Sequence, residues 1–215
     1  MFTKLRNRGV AAAAALCVAL VGGSSEALGQ ELAVASIASA LRLQPQAAAL
    51  PAAQPQPGSA AAIAREAAWL KSAGWHLSAL VDRFATGAPL DAEANCIAVA
   101  VYHEARGESL EGQLAVARVI MNRAASGKYP ASWCGTVKQP WQFSFVNPRT
   151  GAYPAVDEAS ASWRKALGIT RLAIANAVPS LSSDVLWYHA DYVAPSWGRR
   201  LQRYDKIGTH IFYRS

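Results

Sequence analysis

Two helical stripes with almost nothing between them constrain this chain more than any other feature of its sequence. Asp91 stands as a cap before the apolar positions Ala94, Ile97, Ala98, Val101 and Ala105, which recur at helical spacing until Gly107 stops them. Ser109 then caps a second stripe, Leu110, Leu114, Ala117, Met121 and Ala124, closed by Gly127. So short a connection folds the pair back into a helical hairpin.

Downstream, "VDEASASWRKALGITRLAIANA" predicts another helix with Trp163, Ala166, Leu167, Ile174 and Ala177 inward and Gly168 as a mild weakness. The segment before it, "YPASWCGTVKQPWQFSFVNPRTGAYP", reads as loop with short extended pieces. The chain then changes character. "VLWYH" and "THIFYR" are β-branched and aromatic and predict two antiparallel strands, with the arginines of "SWGRRLQRYDK" in a solvated basic loop between them. Helices followed by a small antiparallel sheet near the C-terminus give an α+β class.

The N-terminal part is organised differently. Lys4, Arg6 and Arg8 precede the apolar run "VAAAAALCVALVGG", the pattern of a secretory signal over residues 1–29 with Gly29 as the last residue removed. That run is shorter than the roughly 20 residues a membrane span needs, so no stable membrane insertion is expected after cleavage. Cys17 lies within the run behind "AAL", which lacks the small residue that lipoprotein processing requires. Residues 30–60 form an Ala/Pro/Gln-rich linker, and residues 61–89 a helical N-terminal extension with Ile63, Ala67, Leu70, Leu77 and Leu80 at helical spacing and Gly74 interrupting. Residues 90–215 are then the compact domain.

Removing the leader takes Lys4, Arg6, Arg8 and Glu26, leaving 18 basic and 13 acidic side chains, net +5. This modest balance suits an anionic partner, and export decides against nucleic acid. Cys96 and Cys134 then remain, and an even count in an exported chain favours a disulfide. Closing that loop would restrict the unfolded chain by roughly 4 kcal/mol.

The chemistry concentrates in "VYHEARGESLEGQ". Gly107 leaves Glu104 as the last-turn carboxylate, where its charge opposes the helix dipole. A salt bridge to Arg106 or Arg123 would explain that placement. So would an acid whose carboxyl is pushed toward neutrality by the dipole and apolar surroundings. The residues alone leave both open. Glu111, in the first turn of the next helix, suits the dipole as a solvated charge.

Other chemistries fit less well. His103, His189 and His210 with Glu104 could hold zinc, as in an amidase, but their spacing matches no zinc motif. Ser144 lacks the glycines of a nucleophile elbow, and a Cys134–His189 thiol pair would compete with the disulfide. Phosphate-loop and dinucleotide glycine patterns are absent.

Taken together, "YHEARGESLEGQLAVARVIMNRAASGKYP", "QFSF", "LWYH" and "IGTHIFYR" resemble the catalytic domain of the SleB-type cell wall hydrolases, the spore-cortex-lytic family, over roughly Asp91 to Ser215. The Glu-Ala-Arg-Gly-Glu core is met by Glu104 to Glu108, followed by Gly112, Gln113, Asn122 and Arg123. The resemblance implies a lysozyme-like, lytic-transglycosylase-like fold and cleavage of peptidoglycan glycan strands. It makes Glu104 the acid and base of a single-glutamate mechanism needing no cofactor and no metal. Glu108 becomes the second carboxylate if the reaction is hydrolysis, and with Arg106 it holds the motif's turn. Arg106, Gln113, Gln142, Ser144 and Tyr188 are the expected substrate-binding set. A monomer exported to the periplasm or cell envelope, with peptidoglycan as its partner, is the expected setting. A zinc-dependent amidase and a non-catalytic wall-binding module stand as alternatives.

Overall fold

A computed structural model describes residues 56–214, so the expected leader over 1–29, Cys17 and nearly all of the linker over 30–60 lie outside the described residues. Among the described residues six α-helices precede a three-stranded sheet: α1 Ala60–Ser72, α2 Leu77–Phe84, α3 Ala92–Ala105, α4 Leu110–Ala125, α5 Trp133–Lys138, α6 Ala161–Ile174, β1 Val185–Ala190, β2 Gln202–Ile207 and β3 His210–Arg214.

The hairpin forms as its caps dictate. Asp91 accepts the Ala94 amide at 2.8 Å and Ser109 accepts that of Gly112 at 3.1 Å, each satisfying an amide that lacks an intrahelical partner. Burial exceeds one stripe, however. Cys96 through Tyr102 are all buried, because α3 runs through the centre with α4, α5 and α6 packed around it. α4 is buried on two sides as well. Leu114, Ala117 and Ile120 join the main core, whereas Ala115 and Val119 meet Val185 and Phe212 of the sheet.

The helices of residues 61–89 are continuous with this core rather than an appendage to it. Ile63, Ala67 and Leu70 of α1 and Leu80, Val81 and Phe84 of α2 belong to the same buried cluster as α3 and α6. Gly168, expected to be a weak point in its helix, is instead a requirement: a Cβ there would collide with the backbone carbonyl of Val81, so α2 and α6 touch backbone to backbone. The cost of a helical glycine, about 1 kcal/mol, is offset by that close approach.

Two local expectations are corrected. The segment after α4 contains the short helix α5 and no β-strand. Six residues cannot sustain a helix on propensity, and tertiary contacts hold this one: Ser132 caps Gly135, Glu93 accepts the amides of Trp133 and Cys134, and Cys134 is bonded to Cys96 of α3. The basic segment before β3 is likewise not a loop throughout. Gln202–Ile207 is an antiparallel edge strand, giving the order β1-β3-β2. Its Arg, Asp and Lys face solvent, as edge strands tolerate, and only Tyr204 and Ile207 pack toward α4.

α4 fixes where the sheet sits. Asn122 donates to the carbonyls of Ser182 and Val185 (2.8 and 3.1 Å), and buried Arg123 donates Nε–H to that of Leu186 at 2.7 Å. A register shift between Val185 and Trp187 lets Val185 and Leu186 both bury in succession. Beyond it Tyr188 pairs with Phe212, and its ring packs against His210 and Phe212 at 5.0 and 5.6 Å.

Candidate active site

A polar cleft of about 410 Å³ opens where the C-terminal end of α3 meets the sheet. Its lining comes from four places: His103 and Glu104 of α3 with Glu108 of the following turn, Arg123 of α4, Gln142 and Ser144 of the loop after α5, and Tyr188 to Ala190 with Thr209 and His210 of the sheet. A larger cleft of about 530 Å³ lies between α1, α2 and α6, but its charged groups are committed. Glu66 pairs with Arg83, Asp91 caps α3, and Arg171 donates to the carbonyls of Phe84, Ala85 and Ala88. The smaller cleft is therefore the candidate site.

Glu104 forms its floor. Burial pushes the carboxyl above its ordinary value, against a hydrogen bond from the Tyr188 hydroxyl and the nearby Arg123 charge, both of which favour the ionised form. Tyr188 is itself held protonated well beyond the ordinary phenol range, by burial first and then by the Glu104 charge, so it is a dependable donor. Of the two explanations open from sequence, burial at the helix end prevails over a close ion pair. Arg123 acts at a distance, its guanidinium stacked over Tyr129 at 5.2 Å.

Glu108 is the opposite case. Burial pushes its carboxyl up too, but hydrogen bonds from the Thr209 hydroxyl and amide, the latter at 2.9 Å, outweigh it together with the nearby His210 and hold the group below its ordinary value. This carboxylate fastens the α3–α4 turn to the two-residue turn Gly208–Thr209 between β2 and β3. Gly208 has φ 59°, and a Cβ on it would run into the Glu108 carboxylate. His210 lies 3.9 Å from Glu108, and burial keeps its imidazole below its ordinary pKa.

Not every expected residue reaches the cleft. Glu104, Glu108, Gln142, Ser144 and Tyr188 line it. Gln113 and Arg106, expected among the substrate-binding set, lie outside this lining. Gln113 is buried and donates to the Glu108 carbonyl at 3.1 Å, bracing the turn from inside. Arg106 caps α3 from the exposed side with its guanidinium 5.0 Å from the Tyr102 ring. The histidines are engaged separately. His103 bonds the Pro154 carbonyl and stacks on Phe145 at 4.9 Å, while His189 donates Nδ1–H to the Ala190 carbonyl and accepts from Tyr213. Among the described residues no group of His, Cys, Asp and Glu side chains is arranged to hold a metal ion.

Sequence reasoning missed the cleft's rim. Tyr192 and Val193 of the loop after β1 line it while remaining 84% and 45% exposed. Trp141, beside Gln142, is 86% exposed and has φ 67°, a region that costs a non-glycine residue roughly 1–2 kcal/mol. No periodicity signals such positions. The dipeptide "PW" before "QFSF" was the available hint, since proline at the second position of a turn places its successor at the third.

A model of the cell wall hydrolase family matches residues 107–213. The match takes in just under half of the chain. The match to this hydrolase domain begins at Gly107, three residues after Glu104, and is shorter at its N-terminal side than the resemblance from Asp91 suggested. The chain is 34% identical over 126 residues to a spore cortex-lytic enzyme of Bacillus subtilis (strain 168), and 33% identical over 124 residues to one of Oceanobacillus iheyensis. These alignments take in 54% of this chain in both cases, but only 35% and 39% of the relatives, so the chain spans little more than a third of their length. Among solved structures it is similar to the catalytic domain of the germination-specific lytic transglycosylase SleB from Bacillus anthracis, with 29% identity and a TM-score of 0.46 over 60% of this chain and 99% of that one.

Proposed function

We propose that this protein cleaves the glycan strands of peptidoglycan, with Glu104 as both general acid and general base. The observation that carries the reading is a carboxyl raised by burial, at the floor of a polar cleft, beside a tyrosine that stays protonated and donates to it. Such a group retains its proton closer to neutral pH than a solvated glutamate and can deliver it to a glycosidic oxygen. As the bond to the leaving sugar breaks, the Glu104 carboxylate takes the proton from the muramic acid 6-hydroxyl, whose oxygen closes an anhydro ring on the same sugar. The proton is thus returned to Glu104, and neither water nor a cofactor is consumed.

Glu108 is placed for a different task. Both of its oxygens are engaged by Thr209, and we assign it to fixing the turn that follows Glu104 rather than to attack. Gln142 and Ser144 offer hydrogen bonds to sugar hydroxyl and acetamide groups, and Tyr188 orients the acid. The cell wall hydrolase domain and the names of the cortex-lytic relatives support the substrate class. We extend this to an exported monomer acting in the cell envelope. Among the described residues no helix is long and apolar enough to cross a membrane.

Mass spectrometry of muropeptides released from purified sacculi separates the possible reactions. Anhydro-muramyl ends are the expected product. Ordinary reducing ends would instead mean hydrolysis and return Glu108 to consideration as a second carboxylate. Freed stem peptides would mean an amidase and overturn the assignment.

A further inference from the structure

One residue, next in the chain to Gln142 of the cleft lining, takes a backbone conformation that its residue type disfavours. Gln139 to Gln142 form a four-residue turn closed by the Gln142 amide to the Gln139 carbonyl at 3.2 Å, with Pro140 second and Trp141 third at φ 67°. That is the type II pattern, whose third position favours glycine. A tryptophan there is strained, and at 86% exposure it gains almost no burial in return. Strain that folding does not reward points to binding. The next residue along, Gln142, faces the cleft.

We propose that Trp141 is a stacking platform for a sugar ring of the bound glycan, outside the two residues whose linkage is broken. This rests on the glycan-cleaving reading and adds a subsite to it. The faces of a pyranose ring carry C–H groups that pack on an indole, while its rim carries hydroxyl and acetamide groups. Around Trp141 the chain supplies both partners: an exposed indole, then Gln142 and Ser144 with hydrogen-bonding side chains in the cleft wall. Pro140 restricts the backbone of the turn, so less backbone freedom is left to lose on binding. An apolar stem-peptide side chain could also meet an indole, but it would leave the neighbouring amide and hydroxyl without partners.

The test measures binding without turnover. Soluble glycan oligosaccharides stripped of stem peptides are titrated by calorimetry into Glu104→Gln protein with and without Trp141→Gly. The expected result is about tenfold weaker binding of long oligosaccharides by the double variant, near-equal binding of the shortest, and recovery of most affinity by Trp141→Tyr. Thermal stability should be unchanged or raised by Trp141→Gly, because glycine suits the turn, so loss of fold cannot explain the result. Equal affinity at every length overturns the proposal. So does a loss seen only with fragments that carry stem peptides. The two readings fail differently: wild-type protein that binds bare glycan but never cleaves it breaks the catalytic reading alone, whereas Trp141→Gly protein that binds as tightly as its parent breaks this one alone.

Discussion

Glu104 and Glu108 sit one helical turn apart in sequence, on either side of Gly107, and their surroundings drive them in opposite directions. Glu104 has one tyrosine donor and a distant arginine against a strong burial penalty, so its charged form is disfavoured. Glu108 has the hydroxyl and amide of Thr209 and the neighbouring His210, so its charged form is favoured. Donor count decides which carboxylate can carry a proton to substrate and which serves as a fixed negative clasp. A motif with two glutamates is therefore not a motif with two equivalent acids.

Tyr188→Phe should disturb the Glu104 side most. Removing the donor leaves burial less opposed, so the carboxyl rises further and the fall in activity on the alkaline limb moves to higher pH. Turnover should drop about ten- to a hundredfold through misorientation of the acid. A pH–rate profile on soluble glycan checks both, and an unmoved alkaline limb would break the comparison. On the other side, Glu108→Gln should destabilise by about 1–2 kcal/mol at pH 7 through loss of charge-assisted bonds. Because its folded pKa is depressed, that contribution is present above the unfolded value near 4.5 and disappears as pH falls through the lower folded value, so variant and parent should converge in acid melts.

The smallest effect has the opposite sign. Glu104 has a raised folded pKa, so ionising it costs stability as pH climbs above the unfolded value near 4.5, with the full cost reached above the folded value. Glu104→Gln should melt a few degrees higher than the parent at pH 8, with the difference shrinking toward pH 4. A variant equally stabilised at both pH values would show that its carboxylate is not penalised by burial.

The hairpin was legible because capping and spacing act within a few residues: Asp91, Ser109 and the two stripes stand where sequence placed them. α5 was not, because Glu93, forty residues away, supplies its N-terminal acceptor. β2 was not, because an edge strand with charges facing water looks like a polar loop. Within the site, Glu104 was singled out by its awkward position on the dipole, whereas Arg123 and Gln113 took their places only through burial. From sequence Gln113 looks available to substrate, as polar side chains beside a motif do. Its bond to the Glu108 carbonyl depends on how α4 leaves the turn, which no spacing reveals. Gly168 shows the same limit, its need for hydrogen in place of Cβ being set by Val81 on another helix.

The central claim is that the Glu104 proton breaks the glycan. Purified sacculi digested side by side by wild-type and Glu104→Gln protein, with thermal melts to verify folding, test it most directly. The expected result is a folded variant whose release of muropeptides falls by about a thousandfold or more. Release at the wild-type rate would contradict it.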